Sequence, residues 1–260
     1  LNMINMWTML YYFLCYFIVY SFLGWCLEVT YLAVSTGKFV NRGFLNGPLC
    51  PVYGFGALLV IVLLTPIKEN LLVLFIGSVL LTSLLEFVTG YLLQKLFHQR
   101  LWDYSKFPFN LKGYVCLKFS LGWGIACVFV MKLIHPLTTV IIKVTPTILG
   151  YILLAAVSVY IMVDLISTVK SVLNLNMKLK QIEEISVKIR SGSDKLGQNL
   201  SDEVLELKDK YDKLIEQRNM FSERFIKAFP NVRSTIHFEA LEDIKTHLLR
   251  KQKKGSKKGH

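Results

Sequence analysis

Five apolar stretches, each about as long as a bilayer is thick, leave this chain few ways to fold. They cover about 9–34, 46–66, 71–96, 113–134 and 146–169. A helix needs roughly 20 apolar residues to cross the hydrocarbon core. Lipid offers nothing to unpaired backbone groups, so each stretch is expected to be a helix. The first and third exceed a minimal span and should tilt or project. Of the 260 residues 53% are hydrophobic, but they are unevenly spread, and the sequence turns charged and periodic near Lys170. The expected fold is an all-α integral membrane protein. A five-helix transmembrane bundle with an internal two-helix repeat occupies 1–169, a cytosolic helical hairpin or coiled tail 170–250, and a disordered basic end 251–260.

Loop charge sets the orientation. The turn after the first stretch holds Lys38 and Arg42, and the loop after the third holds Lys95, Arg100, Lys106 and Lys112 against Asp103 alone. The opposite loops hold Lys68 with Glu69, then Lys132 and Lys143. Positive loops stay cytoplasmic, which puts the N-terminus outside and the C-terminus inside. Net charge is +12, and after Val169 there are 20 lysines and arginines against 13 acids. Beside membrane spans such charge points to anionic lipid as a partner rather than to nucleic acid. Trp7, Tyr11, Tyr12, Trp102 and Tyr104 stand at interfacial depth. Residues 1–20 lack a basic n-region, so no cleavable signal is expected. The five cysteines show no disulfide framework and no metal-ligand spacing. His98 and His135 sit near opposite faces and share no metal.

The tail reads as helices. Val172, Leu175, Leu179, Ile182 and Ile189 recur at three/four spacing, and Ser191-Gly192-Ser193 is expected to break the pattern. A second stripe carries Val204, Leu207, Tyr211, Leu214, Phe221 and Phe225, with Arg218 the exception; Ser201, Asp202 and Glu203 supply its N-cap and acidic first turn. A third helix over about 237–250 carries Phe238, Leu241, Ile244 and Leu248. Apolar stripes of this width require a partner, either within one chain or between two.

Charges inside the spans carry the chemistry, because an ionisable group in lipid is costly. Glu28, Glu86 and Lys118 all fall in the cytoplasmic leaflet. One reading joins them in a cytosol-facing cavity that binds a cation or a substrate amine, or relays protons. The other lets Lys118 snorkel while the glutamates clasp loop backbone. Asp164 in the last span has Lys170 too far off for helical pairing and is expected to face the bundle. Around these lie Gly43, Gly47, Pro48, Pro51, Gly54 and Gly56, echoed by Gly113, Gly122 and Gly124. Gly47-x-x-Cys50 matches Gly113-x-x-Cys116, the basis of the expected repeat. Small residues here serve a broken helix start or close helix approach. No phosphate loop, H-E-x-x-H or G-x-S-x-G occurs, so neither a cofactor nor an enzymatic activity is expected.

The runs GWCLEV, TGKFVNRGFLNGPLCPVYGFGALLV and LLEFVTGYLLQKLFHQRLWDYSKFPFNLKGYVCLKFSLGWG resemble the bacterial family named putative type IV ABC-transporter permeases. The similarity spans roughly residues 10–165, and AFPNVRS with its following helix resembles the tail of many members. Matching positions are Gly24, Trp25, Glu28, Arg42, Gly43, Gly47, Pro48, Pro51, Tyr53, Gly54, Glu86, Trp102, Asp103, Tyr104, Gly113 and Lys118. The resemblance implies a permease of the bacterial plasma membrane, without naming a substrate or any catalytic residue. Candidate binding residues are Glu28, Glu86, Lys118, Arg42, Trp102 and Asp103; Gly24, Gly43, Gly47, Pro48, Pro51, Gly54 and Gly113 are structural. A transporter of this kind uses a separate ATPase subunit, and residues 171–250 are the expected docking segment for a protein partner. Five spans would need a homodimer to enclose a path. No coupling helix stands out, which keeps open a scaffold or stress sensor working through its tail, and more distantly an intramembrane enzyme using the two glutamates.

Overall fold

The computed structural model describes residues 3–195, 202–217 and 220–256. They form nine α-helices with four two-residue strands: α1 (Met3–Thr36), α2 (Pro51–Leu64), α3 (Leu71–Phe97), β1 (Gln99–Arg100), β2 (Asn110–Leu111), β3 (Val115–Cys116), α4 (Leu117–Phe129), α5 (His135–Val144), α6 (Thr147–Lys195), α7 (Asp202–Glu216), α8 (Met220–Ala228), β4 (Arg233–Ser234) and α9 (Phe238–Ser256). The chain is an all-α membrane protein. Four helical segments are long and apolar enough to cross a bilayer: Met6–Thr36, Leu71–Phe97, Leu117–Val144 and Thr147–Ser191. The other apolar segment, Pro51–Ile67, is shorter.

Several boundaries differ from expectation. The second apolar segment was expected from 46, yet residues 37–50 form no helix. Pro51 sits in the first turn of α2, where its missing N–H is not needed. The fourth, expected over 113–134, starts at Leu117 after the β2–β3 hairpin and runs on to Val144. Pro136 lies in the first turn of α5 and cannot donate to the turn before it. The helix widens to a π turn over Val130–Ile134, where the His135 N–H reaches back five residues to the Val130 carbonyl. No break occurs at Ser191-Gly192-Ser193, since α6 continues to Lys195. A single glycine costs a helix only about 1 kcal/mol, too little to end it. At 1.5 Å per residue the 49 residues of α6 extend about 73 Å, well beyond a ~30 Å hydrocarbon core. The third tail helix runs to Ser256, into the stretch expected to be disordered. The proposed N-cap Ser201 and the exceptional Arg218 lie outside the described residues.

Two compact units divide the chain. The first comprises residues up to Leu92 with Trp102–Thr168, the second Leu93–Leu101 with the chain from Val169. In the first, Tyr11, Tyr16, Tyr20, Val60, Ile61, Leu64, Leu74, Met131 and Ile142 form the core. Lipid supplies no hydrophobic drive between helices, so close approach and buried hydrogen bonds hold them. A Cβ at Gly24 would fall 2.2 Å from the Tyr53 ring, one at Gly54 2.3 Å from Ser21 Oγ, and one at Gly124 2.4 Å from Val79. Tyr16 Oη bonds Thr139 Oγ1 at 2.9 Å, and Tyr20 Oη meets His135 Nδ1 at 3.2 Å, tying α1 to α5.

In the second unit, Val172, Leu175, Leu179 and Ile182 of α6 are fully buried, as are Phe225, Val232 and Leu241. Burial of each such side chain from water contributes roughly 1.5–3 kcal/mol. Phe238, expected on the inner stripe, is half-exposed, while Leu241 and Ile244 stay inside. β1 pairs with β4, Gln99 opposite Ser234. Gln99 Nε2 donates to Asn176 Oδ1 at 2.8 Å, and Asn176 Nδ2 to the Phe97 carbonyl at 2.8 Å. Lys245 Nζ caps the Val232 carbonyl at 2.6 Å.

Candidate functional site

The loop after α1 is organised by Asn41. Its Oδ1 accepts from Trp25 Nε1 at 2.8 Å and from the Gly43 N–H at 2.9 Å, while its Nδ2 donates to the Asn46 carbonyl at 2.6 Å. This Asx-type turn lets the asparagine side chain substitute for backbone pairing that a non-helical segment lacks. Leu45 is fully buried beneath it, and the Cys50 N–H bonds the Ser21 carbonyl at 2.9 Å.

Held so, the loop brings Arg42 onto the carboxylate of α1. Arg42 Nη1 lies 3.2 Å from Glu28 Oε2, and Tyr53 Oη of α2 donates to Glu28 Oε1 at 2.5 Å. Both charged side chains are about a quarter exposed. The guanidinium also stands 5.4 Å from the Tyr31 ring centroid. Its Nε is buried without a hydrogen-bond partner among the described residues. The first apolar segment holds no lysine or arginine, so the basic partner of Glu28 comes from the loop.

The second glutamate has a different setting. Tyr104, in the loop between α3 and α4, reaches Glu86 through its hydroxyl, whereas Glu86 Oε2 is buried with no hydrogen-bond partner among the described residues. Burial, then the Glu86 carboxylate, and more distantly Glu28, hold the Tyr104 phenol well above its ordinary range. Tyr104 therefore stays a neutral donor beside Glu86. Its ring stacks on Phe119 of α4, with centroids 4.7 Å apart.

Lys118 does not join them. It is exposed on the first turn of α4 and makes no ion pair among the described residues, so the expected pairing with a carboxylate is absent. A long aliphatic stem lets it reach outward at little cost, the snorkelling alternative. Trp102 and Asp103, the other binding candidates, bond within the loop. Trp102 Nε1 donates to the Tyr114 carbonyl at 2.9 Å, and Asp103 Oδ1 accepts the Ser105 N–H at 3.0 Å. Gly113 has φ +72°, a left-handed turn position suited to glycine, and its carbonyl accepts the Tyr104 N–H at 2.8 Å.

Asp164 contributes more than the sequence revealed. It is buried on α6 and accepts the Gly47 N–H at 2.7 Å and the Asn46 N–H at 3.1 Å. Asn46 Nδ2 adds a bond to Thr168 Oγ1 at 3.0 Å. Two backbone donors offset part of the cost of burying this carboxylate. They also explain Gly47, where a Cβ would stand 2.1 Å from Tyr160 Oη and 2.9 Å from Asp164 Oδ2. Only the pattern Asn46-Gly47 hinted at a turn; its anionic anchor is 117 positions away.

Apolar helices closing over acidic side chains, which tyrosines, an arginine and loop amides satisfy in part, define a multi-pass helical membrane protein with a polar site between its helices. The chain belongs to the family described as "Putative ABC-transporter type IV", which it matches over residues 15–169. No curated protein and no solved structure matches it.

Proposed function

We propose that this chain is the membrane permease component of an ABC-type transport system. Glu28, Arg42, Tyr53, Glu86 and Tyr104 line its polar site, which faces the cytosol. The observation that supports this most is that two of the buried side-chain atoms without a hydrogen-bond partner among the described residues, Arg42 Nε and Glu86 Oε2, belong to these five side chains. Buried polar groups are rarely left unpaired, and such exceptions fit a site completed by water, an ion or a ligand. A carboxylate beside a neutral phenol suits a cation, a substrate amine or a relayed proton, and requires no catalytic nucleophile.

In this reading all five apolar segments cross the bacterial plasma membrane, with Pro51–Ile67 as the short one, and the halves around α1–α2 and α3–α4 are repeats. The N-terminus lies outside, and the helical tail is cytoplasmic, where a separate ATPase subunit docks on residues 171–250. Two copies of the chain would enclose the path. The second reading, a scaffold acting through the tail, draws support from that segment's own apolar core.

Affinity purification of the tagged full chain from native membranes, with identification of what accompanies it, separates the two. An ATPase subunit lost on deleting 171–250 supports the permease. A non-ATPase partner retained by a Glu28→Gln/Glu86→Gln chain would favour the scaffold.

A further inference from the structure

The hairpin between α3 and α4 turns two large apolar side chains outward, Phe109 and Leu111. β2 and β3 pair with Leu111 opposite Val115. Val115 and Cys116 are buried, whereas Asn110 and Leu111 face outward. Phe109, next to them, has φ +51° and is 82% exposed. A bulky residue at positive φ is strained, and an exposed ring adds unfavourable contact with water. Phe107 instead packs edge-on against Tyr104 and Phe119, with ring centroids 6.0 and 5.6 Å away, and Lys106 and Lys112 bracket the group, giving Lys-Phe-Pro-Phe-Asn-Leu-Lys.

A separate observation sets the depth of this tip. The Phe109 carbonyl accepts the N–H of Leu117 at 3.2 Å, and Leu117 begins the membrane-crossing segment that ends at Val144. Phe109 is thereby tied to the first residue of that apolar helix, the end that meets the headgroups where the helix crosses. The loop after α1 shows the same pairing of residue types: Phe39 is 74% exposed beside Lys38.

We propose that residues 106–112 form an interfacial anchor for anionic lipid. Phe109 and Leu111 enter the boundary between headgroups and acyl chains, and Lys106 and Lys112 bind lipid phosphates. Apolar insertion and lysine attraction to an anionic leaflet reinforce one another in such elements. The lysine stems add apolar cover of their own. Membrane surface then supplies what water cannot, a medium in which the outward-facing ring is stabilising. The proposal holds whichever side of the membrane this loop occupies.

Site-directed spin labelling of the full chain, with native cysteines replaced, tests it in nanodiscs of pure phosphatidylcholine and of phosphatidylcholine with phosphatidylglycerol. A nitroxide at Phe109→Cys, with Leu111→Cys as a second position, should collide readily with oxygen and several-fold less often with a water-soluble nickel chelate than one at Lys208→Cys on α7. Insertion should be deeper in the anionic discs, and Lys106→Gln/Lys112→Gln should erase that difference. Nickel collision equal to that at position 208 would overturn the anchor. Shielding from both reagents would overturn it in favour of a protein-covered surface. Equal depth in both disc types would overturn the lysine–phosphate part.

Discussion

The backbone N–H of Gly47 donates to the carboxylate of Asp164 at 2.7 Å, joining the loop after α1 to the middle of α6. That contact fixes one end of a loop whose other end carries Arg42 to Glu28. The geometry of the polar site thus depends on a carboxylate that never touches it.

Gly47→Ala tests this dependence. A Cβ there meets Tyr160 Oη and Asp164 and forces a shift, with an expected loss of about 1–3 kcal/mol. Gly122→Ala, with nothing within 4 Å of its Cβ, and Gly56→Ala, with its nearest atom at 3.6 Å, should stay close to wild type. Thermal denaturation in detergent ranks the three. Equal damage at all three positions would refute the packing account.

Asp164→Asn removes the charge but keeps an acceptor. One of the two loop amides should then lose its partner or face an NH₂ group, costing about 1–3 kcal/mol. Limited proteolysis within 37–50 should speed up relative to other loops. An unchanged cleavage pattern would mean that the loop holds its form without Asp164.

At the ion pair, Arg42→Met leaves Glu28 with only the Tyr53 hydroxyl. Breaking a buried pair costs roughly 3–5 kcal/mol, and the quarter exposure of both groups reduces the expectation to about 1–3 kcal/mol. Arg42→Met/Glu28→Gln should recover part of that loss. Strict additivity in the double-mutant cycle would show that the two groups do not couple.

Lys118→Met should leave stability within about 0.5 kcal/mol of wild type, as for an exposed side chain without an ion-pair partner among the described residues. A loss as large as that of Arg42→Met, measured by the same melt, would restore Lys118 to the site.

In the tail, Tyr211 Oη donates to Asp243 Oδ2 at 2.5 Å, and burial followed by this bond raises its pKa above the ordinary 10.0. The folded value exceeds the unfolded one, so the contribution is complete below about pH 10 and is lost as pH climbs toward the folded value. Circular dichroism melts of the full chain from pH 8 to 11 should show Tyr211→Phe less stable at pH 8 and less sensitive to alkali. A parallel decline in both proteins would contradict the linkage.

How far the sequence could be read follows the physics of each feature. The apolar segments were legible because hydrocarbon demands helix over a fixed length. The tail stripe of Val172, Leu175, Leu179 and Ile182 was legible because burial imposes a three/four period. Helix ends were not: Pro51 and the hairpin before Leu117 displaced two starts through loop contacts that no local pattern shows. Glu28 and Glu86 were visible as charges out of place, but their partners Arg42, Tyr53 and Tyr104 come from other elements. Lys118 shared their depth in the chain, and depth alone does not say which way a side chain turns.

The long reach from Gly47 to Asp164 also has a consequence in time. During synthesis at about 5–20 residues per second, the loop emerges roughly 6–23 s before its anionic partner. Until then its two amides have only water or headgroups to bond. A nascent chain halted before Asp164 should therefore be cut readily between Gly37 and Cys50, and one halted beyond Thr168 should resist. Release from the ribosome before α6 is made would leave a chain with its helices inserted and its first loop unset.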